Sequence, residues 1–184
     1  ETLLLAGTRS EVQNLNALAQ DERKQAGELG AESIRVDDVT YFVDDRVLFT
    51  QNHRAMGVLN GDRGWVKAIS EDGRRMTVRL DTGAQVGFDT DAMRDFALGY
   101  ASTTHKAQGS TSTSTYVLAG GSMQDRELSY VQASRARDKT VFFLTRLDVG
   151  DEMAQIAREM ERSRQKEMAH TLIRKGSPDI DLDL

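Results

Sequence analysis

At 184 residues, 39% of them hydrophobic and 29% charged, the chain has the make-up of a soluble globular protein, and no apolar run in it is long enough to span a bilayer. A net charge of −5 excludes a sheath of basic surface around a duplex, though it permits a local positive groove on an acidic body. The absence of cysteine removes disulfides and thiolate metal sites and predicts a cytoplasmic protein.

The chain opens on Glu1 and runs at once into Leu3-Leu-Leu, so no signal peptide is expected, and the missing initiator methionine predicts a piece of a longer protein. Thr2–Gly7 reads as a short buried strand bounded by glycine. Ser10-Glu-Val-Gln13 matches a capping box, and Val12, Leu15 and Ala19 recur on one helical face out to about Gly27. The opening is therefore β-turn-α, the building block of a parallel sheet.

From about Ile34 the period changes to two. Arg46–Thr50, Trp65–Ile69, Met76–Leu80 and Val86–Phe88 are strand candidates, separated by Asn60-Gly61, Asp72-Gly73 and Thr82-Gly83, dipeptides that supply positive φ in tight hairpins. Met76, Val78 and Leu80 face one way, and Arg75, Thr77 and Arg79 the other. Strands this short with little helix between them predict a small barrel over residues 36–94, inserted into an α/β domain formed by residues 1–35 and 95–150.

The α/β pattern resumes with strands at Ala97–Ser102 and Thr115–Ala119, a helix from about Ser122 to Arg135, and a strand at Thr140–Thr145. Ser122 and Asp125 stand at capping-box-like spacing. Met153, Ile156, Ala157 and Met160 form one stripe of a charge-laced helix over residues 151–176, and residues 177–184, with their aspartates, read as a disordered tail.

Two segments carry chemistry. Tyr100–Thr111 packs hydroxyls, His105, Lys106, Gln108 and Gly109 behind a strand. That set suits phosphate, because hydroxyls and cations reach its oxygens and a glycine lets backbone approach a ligand. A bland alternative is a solvated Ser/Thr loop with His105 on the surface. About 25 residues on, Gln132-Ala-Ser-Arg135-Ala-Arg137 puts two arginines between a helix and a strand. Arginine stabilises the charge of a transferring phosphoryl group through its planar fork; the bland alternative is a pair that complements the helix dipole. Arg126, Lys139 and Arg146 add positive charge nearby.

Together, in this order, the two segments resemble motifs V and VI of superfamily 1 helicases of the RecD type. Gly7-Thr8-Arg9 resembles their motif IV region, and residues 36–94 correspond to their SH3-like insertion. Arg46–Asn52 and Leu59–Trp65 look most like conjugative relaxase–helicases of the TraA/TraI kind. The resemblance covers about Leu3 to Thr145 and implies the second RecA-like domain of an ATP-driven DNA motor that moves 5′→3′. It implies Arg135 as arginine finger, Gln108, Gly109 and Arg9 beside nucleotide, and Thr103, Thr104, His105 and Lys106 against single-stranded DNA. Where relatives carry an acidic residue after the motif V glycine pair, Thr111 stands here.

No Gly-x-x-x-x-Gly-Lys-Ser/Thr loop occurs, and Asp37-Asp38 and Asp44-Asp45 sit in the expected insert. ATP and magnesium are therefore expected in the full-length protein only, held with a first RecA-like domain outside this chain, and no metal site or membrane contact is expected here. Two other readings stay open: a non-catalytic single-stranded-DNA loading module, and a barrel that binds peptides, with Trp65 as core, wall or platform.

Overall fold

The computed structural model describes residues 2–107, 112–119 and 126–144, together with Arg158 and Glu161. Strand β1 (Thr2–Ala6) leads through Gly7-Thr8 into helix α1 (Arg9–Gln25). Thr8 Oγ1 accepts from the Glu11 backbone N–H at 3.2 Å, and the Glu11 carboxylate accepts from the Thr8 N–H at 2.8 Å. This capping box corrects the expected one at Ser10 and Gln13. A two-residue turn starts the helix early, and Glu11 adds a negative charge at the positive end of the helix dipole.

A hairpin follows, β2 (Ser33–Val36) and β3 (Val39–Phe42), and then β4 (Arg46–Phe49), β5 (Arg63–Ile69), β6 (Arg75–Leu80), β7 (Gln85–Asp89) and β8 (Phe96–Leu98). The last five form an antiparallel sheet in the order β7-β6-β5-β4-β8. Its apolar alternation is as read: Met76, Val78 and Leu80 are buried with Val47, Phe49, Val66 and Phe88. Ile34, Val36 and Tyr41 of the hairpin join the same core, where Phe96 lies 5.0 Å from Tyr41 and 5.3 Å from Phe88, centroid to centroid.

The chain then returns through β9 (Ala101–Thr103), β10 (Ser112–Leu118), helix α2 (Arg126–Ala133) and β11 (Ala136–Phe143). Together with β1 these strands make a four-stranded parallel sheet in the order β11-β10-β1-β9. One face of it buries Leu3, Leu5, Val117 and Ala119 with Ala107, and α1 packs on β1 and β9. A parallel sheet with helices packed on it, interrupted by an antiparallel unit, is the α/β architecture expected.

Three boundaries differ from expectation. The strand read at Ala97–Ser102 is two strands in two sheets, because β8 pairs with β4 and β9 pairs with β1. Gly99 makes the crossing: its N–H donates to Arg46 O at 2.8 Å, and a Cβ there would lie 2.7 Å from the Val47 carbonyl carbon. The antiparallel pairing thus takes in residues 33–98, past both ends of 36–94. Helix α2 stops at Ala133 and β11 starts at Ala136, so Arg137 and Lys139 lie on a strand.

Arg158 and Glu161 are helical. The rest of the expected helix 151–176, the tail 177–184, and the Ser122–Asp125 spacing lie outside the described residues. No helix among the described residues is long and apolar enough to cross a membrane.

Candidate nucleic-acid and nucleotide interface

The parallel register sets Ala6 beside Thr103, and the Thr104 N–H donates to Ala6 O at 3.3 Å. The ends of β1 and β9 therefore open on one edge of the sheet. From this edge Gly7-Thr8 feeds α1, whose first residue, Arg9, is exposed. From the same edge leaves a turn in which the Ala107 N–H donates to Thr103 O at 3.1 Å and the Lys106 N–H to Thr103 Oγ1 at 3.3 Å. Ala107 is fully buried and anchors the turn in the core, while His105 and Lys106 face solvent. The turn thus offers one imidazole and one ammonium on a held backbone, a geometry suited to a passing phosphate.

Thr104 departs from the expectation of a DNA contact. It is 1% exposed, and its hydroxyl accepts from Gln132 Nε2 at 3.0 Å. Its role in the fold is to fasten the turn to α2. Gln132, itself fully buried, is a residue of this site to which the sequence alone assigns no role. The available signal was an amide three residues before Arg135, on the face of α2 that also buries Ser129.

Arg135 occupies the turn between α2 and β11. Its N–H donates to Gln132 O at 3.3 Å, its Nε to Val131 O at 3.0 Å, and its Nη2 to Ser134 Oγ at 3.1 Å. The guanidinium is thus folded on the C-terminal end of α2, where unpaired carbonyls and the helix dipole favour a cation. Arg135 O in turn accepts from the Ser112 N–H at 2.9 Å, so the segment leaving the first cluster meets the second. Arg137 is exposed on β11. Gln108, Gly109 and Thr111 lie outside the described residues, flanked by Ala107 and Ser112.

The acidic pairs are engaged elsewhere. Asp37 pairs with Arg94 at 2.6 Å and Asp44 with Lys67 at 2.7 Å. Asp45 is buried and accepts from Gln20 Nε2, the Phe42 N–H and the Tyr100 hydroxyl. Burial pushes the Asp45 carboxyl up, against the lowering effect of those hydrogen bonds. No group of three His, Asp or Glu suited to a metal occurs among the described residues. Tyr100 also lines a hollow of about 530 Å³, together with Arg23, Arg46, Arg63, Trp65 and Asp81. Trp65 is its wall: the guanidinium carbons of Arg23 and Arg46 stand 5.1 and 4.9 Å from the ring centroid.

No protein-family model matches the chain. Over 143 residues it is 33% identical to a probable conjugal transfer protein TraA of Sinorhizobium fredii, covering 74% of this chain and 13% of that one. Over 149 residues it is 33% identical to a conjugal transfer protein TraA of Rhizobium radiobacter, covering 78% and 14%. The chain therefore spans a small part of the curated relatives it matches. A crystal structure of the Bacteroides Pif1 helicase with ADP-AlF3 and single-stranded DNA superposes with a TM-score of 0.59 at 20% identity, over 86% of this chain and 44% of that one.

The chain shares its fold with part of a solved helicase. The Pif1 helicase of Candida albicans superposes over the same 86% of this chain and 49% of its own, with a TM-score of 0.54 at 16% identity. At such identities the likeness is one of fold.

Proposed function

We propose that this chain is the second RecA-like domain of an ATP-dependent DNA helicase in a cytoplasmic conjugative relaxase–helicase, of the RecD type, with an SH3-like insertion and 5′→3′ movement. The observation that carries the reading is the convergence of two segments distant in sequence. The Thr103–Ala107 turn is joined to α2 by the Thr104–Gln132 bond, and β10, which follows it in the chain, is joined to the α2–Arg135 turn by the Ser112–Arg135 bond. The printed names of the relatives, conjugal transfer proteins, support the cellular role. The helicase neighbours solved with single-stranded DNA support the ligand.

In this reading Thr103, His105 and Lys106 hold single-stranded backbone, and Arg9, Gln108 and Gly109 lie toward nucleotide. Arg135 meets the γ-phosphate once its guanidinium leaves Val131 O. Its planar fork suits that phosphate, and the charge it supplies matters most in the transition state. Magnesium belongs with the first motor domain, since the aspartates at residues 37, 44 and 45 are already partnered. The isolated chain hydrolyses no ATP.

The test is Arg135→Ala in the full-length protein. A fall in kcat of roughly 10³-fold, with ATP affinity much less affected and Arg137→Ala milder, is expected. Equal small effects of both changes would mean that the pair complements the helix dipole and nothing more. That outcome, with DNA binding intact, fits the second reading: a non-catalytic single-stranded-DNA module. The guanidinium folded on α2 is the observation that favours it. Trp65 gives little support to a peptide-binding barrel, because two guanidinium groups already engage its ring.

A further inference from the structure

Gln132 and Thr104 form a hydrogen bond between side chains 28 residues apart, fully buried on one side and 1% exposed on the other. Burial matters because an amide or hydroxyl withdrawn from water must find a protein partner or lose the energy of its hydrogen bonds. Each residue is also tied by its backbone to a segment of the candidate interface. Thr104 stands between Thr103, which accepts the Lys106 N–H, and the exposed His105. Gln132 O accepts the Arg135 N–H, and the preceding carbonyl, Val131 O, holds the Arg135 guanidinium. A displacement of the turn that stretches the Thr104–Gln132 bond therefore pulls on the last turn of α2, from which Arg135 springs.

We propose that Gln132 is a positioning residue that transmits the state of the Thr103–Ala107 turn to Arg135, so that single-stranded DNA on the turn sets where the arginine points. Gln132 touches neither DNA nor ATP; it acts through Thr104 on one side and the α2 terminus on the other. Two features suit it to this. An amide on a two-carbon stem is directional, so the bond is made at one spacing of turn and helix and lost at another. The helix turn from Gln132 to Arg135 is short and hydrogen-bonded, so motion at its start reaches its end with little slack. The inference rests on the helicase reading above.

The experiment is steady-state ATPase of the full-length protein with and without oligothymidylate, for wild type, Gln132→Met, Thr104→Val, the double variant and Thr104→Ser. Gln132→Met keeps the side chain's length and removes its donor; Thr104→Val keeps shape and removes the acceptor; Thr104→Ser keeps the hydroxyl. The expected result is a stimulation factor about tenfold lower in both single variants. The oligothymidylate concentration for half-maximal stimulation should stay near the wild-type value, the double variant should be no worse than either single one, and Thr104→Ser should retain most of the stimulation. A purely structural bond would lower the fraction of folded protein and both rates together, leaving their ratio intact, and that result overturns the proposal. So does Gln132→Met with a wild-type ratio, or additive losses in the double variant. If wild type itself shows no stimulation by oligothymidylate, the helicase reading fails and the proposal with it.

Discussion

The Tyr100 hydroxyl donates to Asp45 Oδ1 at 2.5 Å, and this bond crosses the seam between the parallel and antiparallel sheets. Tyr100 lies between β8 and β9, where the chain leaves one sheet for the other, and Asp45 lies just before β4. Asp45 Oδ2 accepts from Gln20 of α1 at 2.6 Å and from the Phe42 N–H at 2.7 Å, so one buried carboxylate gathers three parts of the fold. Arg23 adds to the joint by donating to Asp44 O at 2.8 Å and standing over Trp65.

Removing that carboxylate should loosen the joint. Asp45→Ala leaves the Gln20 amide, the Phe42 N–H and the Tyr100 hydroxyl without their acceptor and is expected to cost about 3 kcal/mol. Tyr100→Phe removes one donor and should cost about 1 kcal/mol. Urea unfolding of the chain with an unchanged slope measures both. A loss for Asp45→Ala no larger than that for Tyr100→Phe would show that the carboxylate is not the centre of the network.

The same joint makes stability fall in alkali. Burial, helped by its bond to Asp45 and that group's negative charge, pushes the Tyr100 phenol up from 10.0 to about 12. Burial pushes Tyr41 up as well. Between the ordinary and the raised value the folded chain keeps a proton that the unfolded chain has lost. Stability is therefore fully present below about pH 10 and falls as pH rises through about 12. Urea midpoints across this range should decline, and Tyr100→Phe should make the decline shallower. Parallel curves for wild type and variant would contradict the assignment.

Glycines test the packing of the crossing. At Gly99 an added Cβ would meet Val47 carbonyl carbon at 2.7 Å and Leu48 N at 2.9 Å, backbone atoms that do not yield easily. Gly99→Ala should destabilise by about 2 kcal/mol or more. At Gly87 the nearest atom is Thr77 Oγ1 at 3.7 Å, so Gly87→Ala should be neutral or mildly stabilising. Thermal melts of the two variants side by side should separate them, and equal melting temperatures would deny the close approach.

Single-stranded DNA binding should be sequence-tolerant and fall with salt, since phosphate contacts supply it. Lys106→Ala is expected to weaken binding and to reduce the slope of log K against log salt by about 0.7, the share of one phosphate contact on a single strand. Thr104→Ser, buried and away from the strand, should change neither. Fluorescence anisotropy with an oligothymidylate across a salt series gives both numbers. An unchanged slope for Lys106→Ala would remove that residue from the DNA surface.

Much of the fold was legible because its signals are local. The alternation of Met76, Val78 and Leu80 with Arg75 and Arg79 identified β6, and Asp72-Gly73 and Thr82-Gly83 placed the turns on either side of it, whereas Asn60-Gly61 ends a long β4–β5 connection that holds a short helix at Arg54–Met56. The capping of α1 was misread because Thr8-x-x-Glu11 and Ser10-x-x-Gln13 both satisfy the spacing, and only the length of the turn after β1 chooses between them. The strand start at Ala136 was missed because Arg137, Asp138 and Lys139 carry no apolar pattern; β11 draws its extended shape from pairing with β10.

The candidate site divides in the same way. Residue types suited to phosphate, taken together with the helicase resemblance, bring Thr103, His105, Lys106 and Arg135 forward as candidates. The inward turn of Thr104, the choice of Gln132 as its partner and the folding of Arg135 on Val131 O were invisible. What the sequence by itself determined are the local preferences: periods of two and 3.6, the turn glycines, and the inventory of ligand-like groups, all governed by sterics and hydrogen bonds within a few residues. Tertiary structure alone decided which strand joins which sheet and which of two neighbouring threonines is buried. Those outcomes depend on contacts such as Thr104 with Gln132, 28 residues apart, whose energy exists only once the chain has closed.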